Sequence, residues 1–148
     1  MRVALLAPIG NSLYALTILQ LLSQEKGVEL CAMLVRTPWS PRRVWFEWRR
    51  DGTRLARKVV EKWFLRGKLS NAGSERELLS LASELHLEEK TLFEWSHKHA
   101  VPVKSVSSHN SSSAEAFLKK VNPELILFTG GGLIRKNILD IPSLGVLN

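Results

Sequence analysis

The chain has 148 residues, a length that suits one domain, and 45% of them are apolar, which is enough to form a hydrophobic core. It carries a formal net charge of +7 and a single cysteine, Cys31, which excludes an internal disulfide and favours a reducing compartment. No apolar run is long enough to cross a membrane, and Pro8 and Gly10 break the apolar start, which argues against a signal peptide. We therefore expect a cytoplasmic protein.

The first 36 residues show the pattern of a strand, a helix and a second strand. A short apolar run over residues 2–7 predicts a strand, and a polar turn follows it. Leucines and isoleucines from Leu13 onward give the next segment a broad apolar face, so we predict a helix that is capped by Asn11 or Ser12 and ends near Gly27. Residues 28–35 are again apolar and predict a second, parallel strand.

Residues 37–99 interrupt this pattern and are predicted to form a helical insertion. Apolar residues between Leu55 and Phe64 recur at helical spacing. Ser74 and Glu77 have the spacing of a capping box, which predicts the start of another helix, and a further short helix is expected over 89–99. His97 and His99 lie two residues apart and have no supporting cysteine or carboxylate cluster, so we predict no metal site.

The positive charge is concentrated in part of this insertion. Eleven of the 21 Lys and Arg residues lie between Arg36 and Lys68, against three acidic residues. Three interpretations remain open: a helix of residues 42–68 that contacts an anionic membrane surface, an RNA-binding segment, or a helix that packs on the sheet and turns its basic face to water or to an anionic substrate. Membrane contact is favoured over nucleic acid because the apolar stripe is continuous.

The last third of the chain returns to alternating strands and helices. A strand is predicted over 101–106, and Ser112 with Glu115 predicts a capping box for a helix that ends at Val121. An apolar run over 125–128 predicts a strand buried on both faces. The fold class is therefore α/β, a doubly wound, mostly parallel and Rossmann-like sheet with a basic helical insertion.

Residues 123–148 form the most informative stretch. Pro123 and Glu124 precede the strand, three consecutive glycines follow it, and Lys136 begins a short helical segment that Pro142 ends. A final strand starts at Gly145 and reaches Asn148. Three glycines allow a ligand to approach the backbone, and a polar residue at the carboxyl end of a buried strand is where open α/β sheets place their chemistry.

This stretch resembles the formyltransferases that use 10-formyltetrahydrofolate, a family that includes glycinamide ribonucleotide, methionyl-tRNA and sugar-nucleotide formyltransferases. The residues that match in order are Pro123, Glu124, Gly130–Gly132, Leu133, Ile134, Lys136, Leu139, Pro142, Gly145 and Asn148. The resemblance implies that residues 1–148 are the N-terminal part of a catalytic domain, truncated at the catalytic asparagine. The family's histidine and aspartate would follow Asn148, so we expect the chain alone to be inactive.

The resemblance also implies roles for individual residues. Asn148 would donate a hydrogen bond to the formyl oxygen as negative charge develops there. The folate cosubstrate would be bound by Phe128, Gly130, Gly131, Gly132, Leu133 and Ile134. Gly10, Asn11 and Ser12 occupy the turn that binds a substrate phosphate in one branch of the family, and backbone N–H groups at a helix N-terminus suit an anion.

We therefore predict formyl transfer to a primary amine on a small anionic acceptor, such as an amino-sugar nucleotide. A methionyl-tRNA formyltransferase is the alternative within the family. The alternative from another class is a non-enzymatic α/β module that binds anions or a membrane surface. The acceptor and the oligomeric state are not determined by the sequence.

Overall fold

The computed structural model describes residues 1–37, 72–130 and 132–148, with only the backbone course given for 72–75. In this part of the chain five strands form one sheet: β1 (Arg2–Ala7), β2 (Glu29–Arg36), β3 (Val103–Val106), β4 (Leu125–Phe128) and β5 (Gly145–Leu147). The helices are α1 (Leu13–Gln24), α2 (Ala72–Glu84), α3 (Leu92–Lys98), α4 (Ser112–Val121) and α5 (Lys136–Leu139).

The strands are all parallel and follow the order β3-β2-β1-β4-β5, which confirms the α/β class. The central strand β1 is buried on both faces, and its residues Val3 to Ala7 are each 0% exposed. Leu5 pairs with Met33 of β2 on one side and with Leu127 of β4 on the other. A continuous apolar run is what such a doubly covered strand requires.

Each face of the sheet carries its own core, because successive side chains of a strand point to opposite faces. On one face, Leu6 packs with Leu34 and Phe128 beneath α4 and α5, which contribute Leu118 and Ile138. The core of the other face lies beneath α1 and α3 and contains Leu5, Leu16, Leu19, Met33, Leu92 and Trp95. Helices therefore cover both sides of the sheet.

The structure confirms the predicted start of α1 and the predicted short helix before Pro142. Ser12 is the N-cap of α1, since its Oγ accepts a hydrogen bond from the Ala15 N–H at 3.3 Å. Helix α1 ends at Gln24, shortly before Gly27, which has a φ of +89°. That left-handed conformation favours glycine, so the sequence signal for the end of the helix was correct.

Three other helix starts differ from the prediction. The N-cap of α4 is Ser111 and not Ser112, because Ser111 has extended backbone angles and its Oγ accepts from the Ala114 N–H at 3.3 Å. Helix α2 begins at Ala72, before Ser74, so Ser74 lies inside the helix and is not its N-cap. Helix α3 covers Leu92–Lys98 rather than 89–99, with Thr91 as its cap.

Most of the basic segment lies outside the described residues. Of the span from Arg36 to Lys68, only Arg36 and Thr37 are described, so the predicted amphipathic helix and its three interpretations stay predictions. Within 1–37, 72–130 and 132–148 no helix is long and apolar enough to cross a membrane. In the same ranges no group of three potential metal ligands occurs, and the His99 ring stacks on Trp95 with centroids 4.0 Å apart.

Candidate functional site

The candidate site lies at the carboxyl edge of the sheet, where β1 lies between β2 and β4. From β1 the strand order runs to β2 and β3 on one side and to β4 and β5 on the other. The helices that follow β1 and β4 pack on opposite faces of the sheet, and open α/β sheets bind their ligands in the crevice at such a point. The loops that leave β1 and β4 are residues 8–12, called the β1 turn below, and residues 129–135, called the glycine loop.

The β1 turn is held against the start of α3. The Gly10 carbonyl accepts a hydrogen bond from the Leu92 N–H at 2.7 Å. A Cβ added at Gly10 would lie 2.8 Å from Cε2 of Phe93, which is closer than two carbon atoms can approach. The absence of a side chain at Gly10 thus permits close packing against Phe93, a contact for which the sequence gives no signal.

The neighbouring residues of the β1 turn differ in their availability to a ligand. The Ser12 hydroxyl is already engaged as the cap of α1. Asn11 is exposed and lines an open cavity of about 590 Å³ between α1 and α2. The other residues that line this cavity are Leu13, Leu16, Leu79, Ala82, Ser83, Leu87, Glu88, Glu89 and Lys90. Asn11 therefore lies beside a cavity whose lining is partly apolar and partly charged.

One of those charged residues is held as a carboxylate. Glu89 lies 2.5 Å from the Lys98 ammonium, and the hydrogen bond to Lys98 lowers the pKa of Glu89 below its ordinary value of 4.5. The Glu89 side chain is 8% exposed, whereas that of Lys98 is 54% exposed. The cavity wall beside Asn11 thus carries a fixed negative charge at neutral pH.

The glycine loop begins in contact with β1. Thr129 donates two hydrogen bonds to the Leu6 carbonyl, from its backbone N–H at 3.0 Å and from its hydroxyl at 3.2 Å. A Cβ at Gly130 would lie 2.9 Å from Cε2 of Phe128 and 3.4 Å from Cβ of Pro8. Gly130 therefore allows the glycine loop to pass close to the β1 turn.

The rest of the glycine loop is more open. Gly132 has a φ of +120°, a conformation that favours glycine, while Gly131 lies outside the described residues. Leu133 is 87% exposed. Ile134 is partly buried and packs against the core beneath α4 and α5. Leu133 is thus largely accessible to a ligand.

Phe128 occupies a different position from the other predicted folate-binding residues. It is 6% exposed and belongs to the core of the sheet. Its ring is perpendicular to that of His109, at a centroid distance of 5.5 Å. Phe128 is thus a core residue, and little of its surface is accessible to a ligand.

Asn148 lies at the same edge of the sheet, directly after β5. Leu147 pairs with Leu127, so Asn148 follows one position beyond the last pair, level with Phe128. Adjacent strands are about 4.8 Å apart, which places Asn148 about one strand spacing from the start of the glycine loop. Asn148 is exposed. The structure thus brings Asn148, the glycine loop and the β1 turn together along the carboxyl ends of three adjacent strands.

Two residues at this edge were missed by the sequence analysis, and the first is His109. His109 is 6% exposed, and its Nε2 lies 3.1 Å from the Ala7 carbonyl, which can only accept, so this nitrogen carries the proton. Burial, aided by the positive charge of Arg36, lowers the pKa of His109 below its ordinary value of 6.5. A polar loop directly after a buried strand was the available signal.

The second missed residue is Asn110, which joins the loop after β3 to the glycine loop. Its Nδ2 donates to the Leu133 carbonyl at 2.8 Å, and its Oδ1 accepts from the Arg135 N–H at 2.7 Å. These partners lie 23 and 25 residues further along the chain. No local pattern indicates a contact of that separation.

Basic side chains lie along this edge. Arg36 ends β2, and its Nε is buried without a hydrogen-bond partner among the described residues. Arg135 and Lys136 follow the glycine loop and are exposed. A buried N–H without a partner is costly, because it has lost its water. The edge therefore favours an anionic ligand.

Comparison with known proteins identifies no relative: no family model matches the chain, and no curated protein matches it significantly. The functional assignment therefore depends on the residues of the site itself.

Proposed function

We propose that the carboxyl edge of this sheet binds 10-formyltetrahydrofolate and that the chain is part of a Rossmann-like formyltransferase domain. The observation that carries the proposal is the position of Asn148 beside the glycine loop, because two parts of one sequence motif meet at the edge where such sheets bind ligands. The strand order β3-β2-β1-β4-β5 supports it, since it is the order of Rossmann-like sheets.

In this reaction the nitrogen of a primary amine attacks the formyl carbon of the cosubstrate. A tetrahedral intermediate forms with negative charge on the formyl oxygen, the bond to N10 of the folate then breaks, and the proton lost by the amine is returned to N10. The Asn148 side-chain N–H would donate to the charged oxygen more strongly than to the neutral carbonyl, which lowers the barrier. The resemblance assigns the proton transfer to a histidine outside residues 1–148.

The cosubstrate would lie against the glycine loop. A flat pterin ring needs backbone donors and acceptors and apolar walls. The loop offers open backbone at Gly132, where no atom of the described residues lies within 4 Å of an added Cβ, and Leu133 provides an exposed apolar surface. The exposed Arg135 and Lys136 suit the glutamate carboxylates of a folate.

The acceptor would enter from the β1 turn. Asn11 faces the cavity beside α1, and the free N–H groups at the start of α1 suit a phosphate. Lys90 lines the same cavity and suits an anionic group, whereas the Glu89 carboxylate is already paired with Lys98. The cavity therefore supports a small anionic acceptor, and the resemblance implies that it carries a primary amine, as in an amino-sugar nucleotide.

The rival function is a binding module for anions without catalysis, favoured by the buried Arg36 Nε that has no partner among the described residues. Inorganic phosphate would then stabilise the protein, whereas a folate would not. A ligand that binds only the native state raises the melting temperature, so the two functions are separable by one measurement.

The proposal is tested by the melting temperature with 5-formyltetrahydrofolate, a stable folate analogue, at a concentration of about a hundred times Kd, where a one-site ligand stabilises by about 2.7 kcal/mol. We expect a rise in the wild type and none in Gly130→Val, because the new Cβ would lie 2.9 Å from Cε2 of Phe128 and would displace the glycine loop from its position. Ala116→Val on the exposed surface of α4 serves as the control and should respond like the wild type. Equal shifts in the wild type and in Gly130→Val would remove the glycine loop from the ligand site.

A further inference from the structure

The loop between β3 and α4, residues 107–111, contacts both sides of the crevice. His109 is buried and donates to the carbonyl of Ala7, the last residue of β1. Asn110, the next residue, is bonded to the glycine loop. This loop, called the brace loop below, therefore connects the end of β1 to the backbone that follows β4.

The two hydrogen bonds of Asn110 use opposite ends of its carboxamide. The Leu133 carbonyl can only accept and the Arg135 N–H can only donate, so these partners fix the orientation of the amide. An aspartate of the same shape would keep the bond to Arg135 but would direct an oxygen at the Leu133 carbonyl. The site is therefore specific for a carboxamide and not merely for a polar residue.

The brace loop is itself held in place before it reaches the glycine loop. The Asn110 N–H donates to Ser108 Oγ at 3.2 Å, and the Ser111 N–H donates to the Ser108 carbonyl at 3.1 Å. Ser111 then caps α4, whose Leu118 is 0% exposed in the core. Asn110 is thus presented from a support that is anchored in the folded sheet.

The far end of the segment that Asn110 holds has other contacts, because Ile134 packs against the core and the Arg135 carbonyl accepts hydrogen bonds from Ile138 and Leu139 of α5. The start of the segment is less restricted. Gly132 has no side chain to restrict its backbone, and the Leu133 side chain is 87% exposed and contributes little packing. The two hydrogen bonds of the Asn110 side chain are made to the residues on either side of Ile134, namely Leu133 and Arg135. They fix two successive peptide groups next to the most open part of the site.

We infer that Asn110 is a positioning residue that fixes Leu133 to Arg135 of the glycine loop in the conformation that binds the ligand. The identity of the ligand rests on the proposed function, but the ordering of the loop does not. A loop that is ordered before binding loses less entropy when the ligand arrives, so its affinity is higher. Loss of Asn110 should therefore weaken ligand binding without any direct contact between Asn110 and the ligand.

The test compares Asn110→Ala and Asn110→Asp with Asn137→Ala as a matched control. Asn137 is also a carboxamide, and its Nδ2 donates at 2.9 Å to Glu115 of α4, but it does not bond to the backbone of Leu133 or Arg135. Asn110→Ala loses hydrogen bonds between the brace loop and the region after β4, and Asn137→Ala loses one between α4 and that region. A general loosening of that region would appear in both, whereas loss of loop positioning would appear only at Asn110.

The first measurement is amide hydrogen exchange of the unliganded proteins. In Asn110→Ala we expect the Arg135 N–H to exchange faster by about tenfold or more, as loss of a bond of about 1.4 kcal/mol implies. Asn110→Asp should retain more protection at Arg135, because its carboxylate still accepts that bond. Asn137→Ala should leave the Arg135 N–H protected. An unchanged Arg135 exchange rate in Asn110→Ala would overturn the inference whatever the ligand result.

The second measurement is the Kd of 5-formyltetrahydrofolate, which a merely structural role would not change selectively. We expect Asn110→Ala to weaken binding by about tenfold, as loss of about 1.4 kcal/mol implies, and Asn137→Ala to bind like the wild type. Wild-type affinity in Asn110→Ala would overturn the inference and leave the proposed function intact. If no form binds the folate, the proposed function fails, and the exchange rates alone decide whether Asn110 positions the loop.

Discussion

His109 is a titratable side chain in an apolar environment, between the end of β1 and the ring of Phe128. Its neutral form is favoured there for two reasons. The ring has lost most of its contact with water, and the nearby Arg36 repels a second positive charge. The native state therefore favours the neutral form of His109.

This environment gives the stability of the protein a pH dependence. Because the native pKa of His109 lies below its unfolded value of 6.5, the unfolded state binds the proton more readily. The contribution is fully present above pH 6.5 and is lost as the pH falls from that value toward the native pKa. We expect urea midpoints of the wild type to decrease between about pH 6.5 and pH 5, above the ordinary range of carboxyl groups.

The comparison uses two histidine variants. Glutamine can place an N–H where Nε2 of the imidazole lies, so His109→Gln should show a flatter dependence over this range. His97→Gln changes an exposed histidine of α3 and should keep the wild-type dependence. The same slope in all three proteins would show that His109 is not responsible.

At the scale of the element, three of the described helices, α1, α3 and α4, begin where a hydroxyl side chain accepts an N–H of the first turn. Ser12, Thr91 and Ser111 do so at 3.3, 3.1 and 3.3 Å. The sequence predicted α1 from its apolar face and α4 from a capping box, but it could not place the start of α4. Ser111, Ser112 and Ser113 are chemically identical, and only the extended backbone of Ser111 distinguishes the cap.

The revised start of α4 is tested by a pair of serine substitutions. We expect Ser111→Ala to lower the free energy of unfolding by about 1 kcal/mol, because the Ala114 N–H loses its acceptor. Ser112→Ala should change it by less than about 0.5 kcal/mol, because Ser112 is an exposed residue of the first turn. Chemical denaturation of the two variants measures the difference, and a larger loss in Ser112→Ala would restore the capping box with Glu115.

Glu115 has another role once the cap is moved to Ser111. Its carboxylate bonds to Lys119 at 2.7 Å, one turn further along α4, and to Asn137 of α5 at 2.9 Å. Both bonds lower the pKa of Glu115, with that of Lys119 the larger cause. The carboxylate that the sequence assigned to a cap thus links two neighbouring helices.

At the scale of the whole molecule, the sequence predicted more of the sheet than of the site. Apolar runs identified the strands, since a strand covered on both faces must be apolar throughout. The strand order was not predicted from the sequence, because β1 pairs with β4 although most of the chain lies between these two strands. The glycine loop and Asn148 were found from an ordered motif, whereas His109 and Asn110 were not, because their partners are distant in sequence.

The reactivity of Cys31, the single cysteine of the chain, is a probe of whether the sheet is intact. The residue is 7% exposed in β2, its Sγ lies 3.2 Å from the Val3 carbonyl of β1, and burial raises the pKa of its thiol. The reactive form of a cysteine is the thiolate, so both access and ionisation are suppressed. We expect modification by iodoacetamide at pH 8 to be at least about a hundredfold slower in the native protein than in urea.

Because the chain contains one cysteine, the site of modification is unambiguous, and Cys31→Ser provides the blank. The rate in increasing urea should follow the unfolding transition seen by circular dichroism. Modification of the native protein at the rate of a free thiol would show that β1 and β2 separate readily.

The pairing of β1 with β4 also bears on how the protein is made. The backbone N–H of Arg2 bonds to Glu124, 122 residues further along, and β4 covers the free side of β1. At about 5–20 residues per second, the ribosome needs on the order of ten seconds to deliver that partner after β1 has emerged. During this interval β1 has a neighbour only in β2 and exposes its other side to other chains. The strand at the centre of the finished sheet is therefore an edge strand for most of its synthesis.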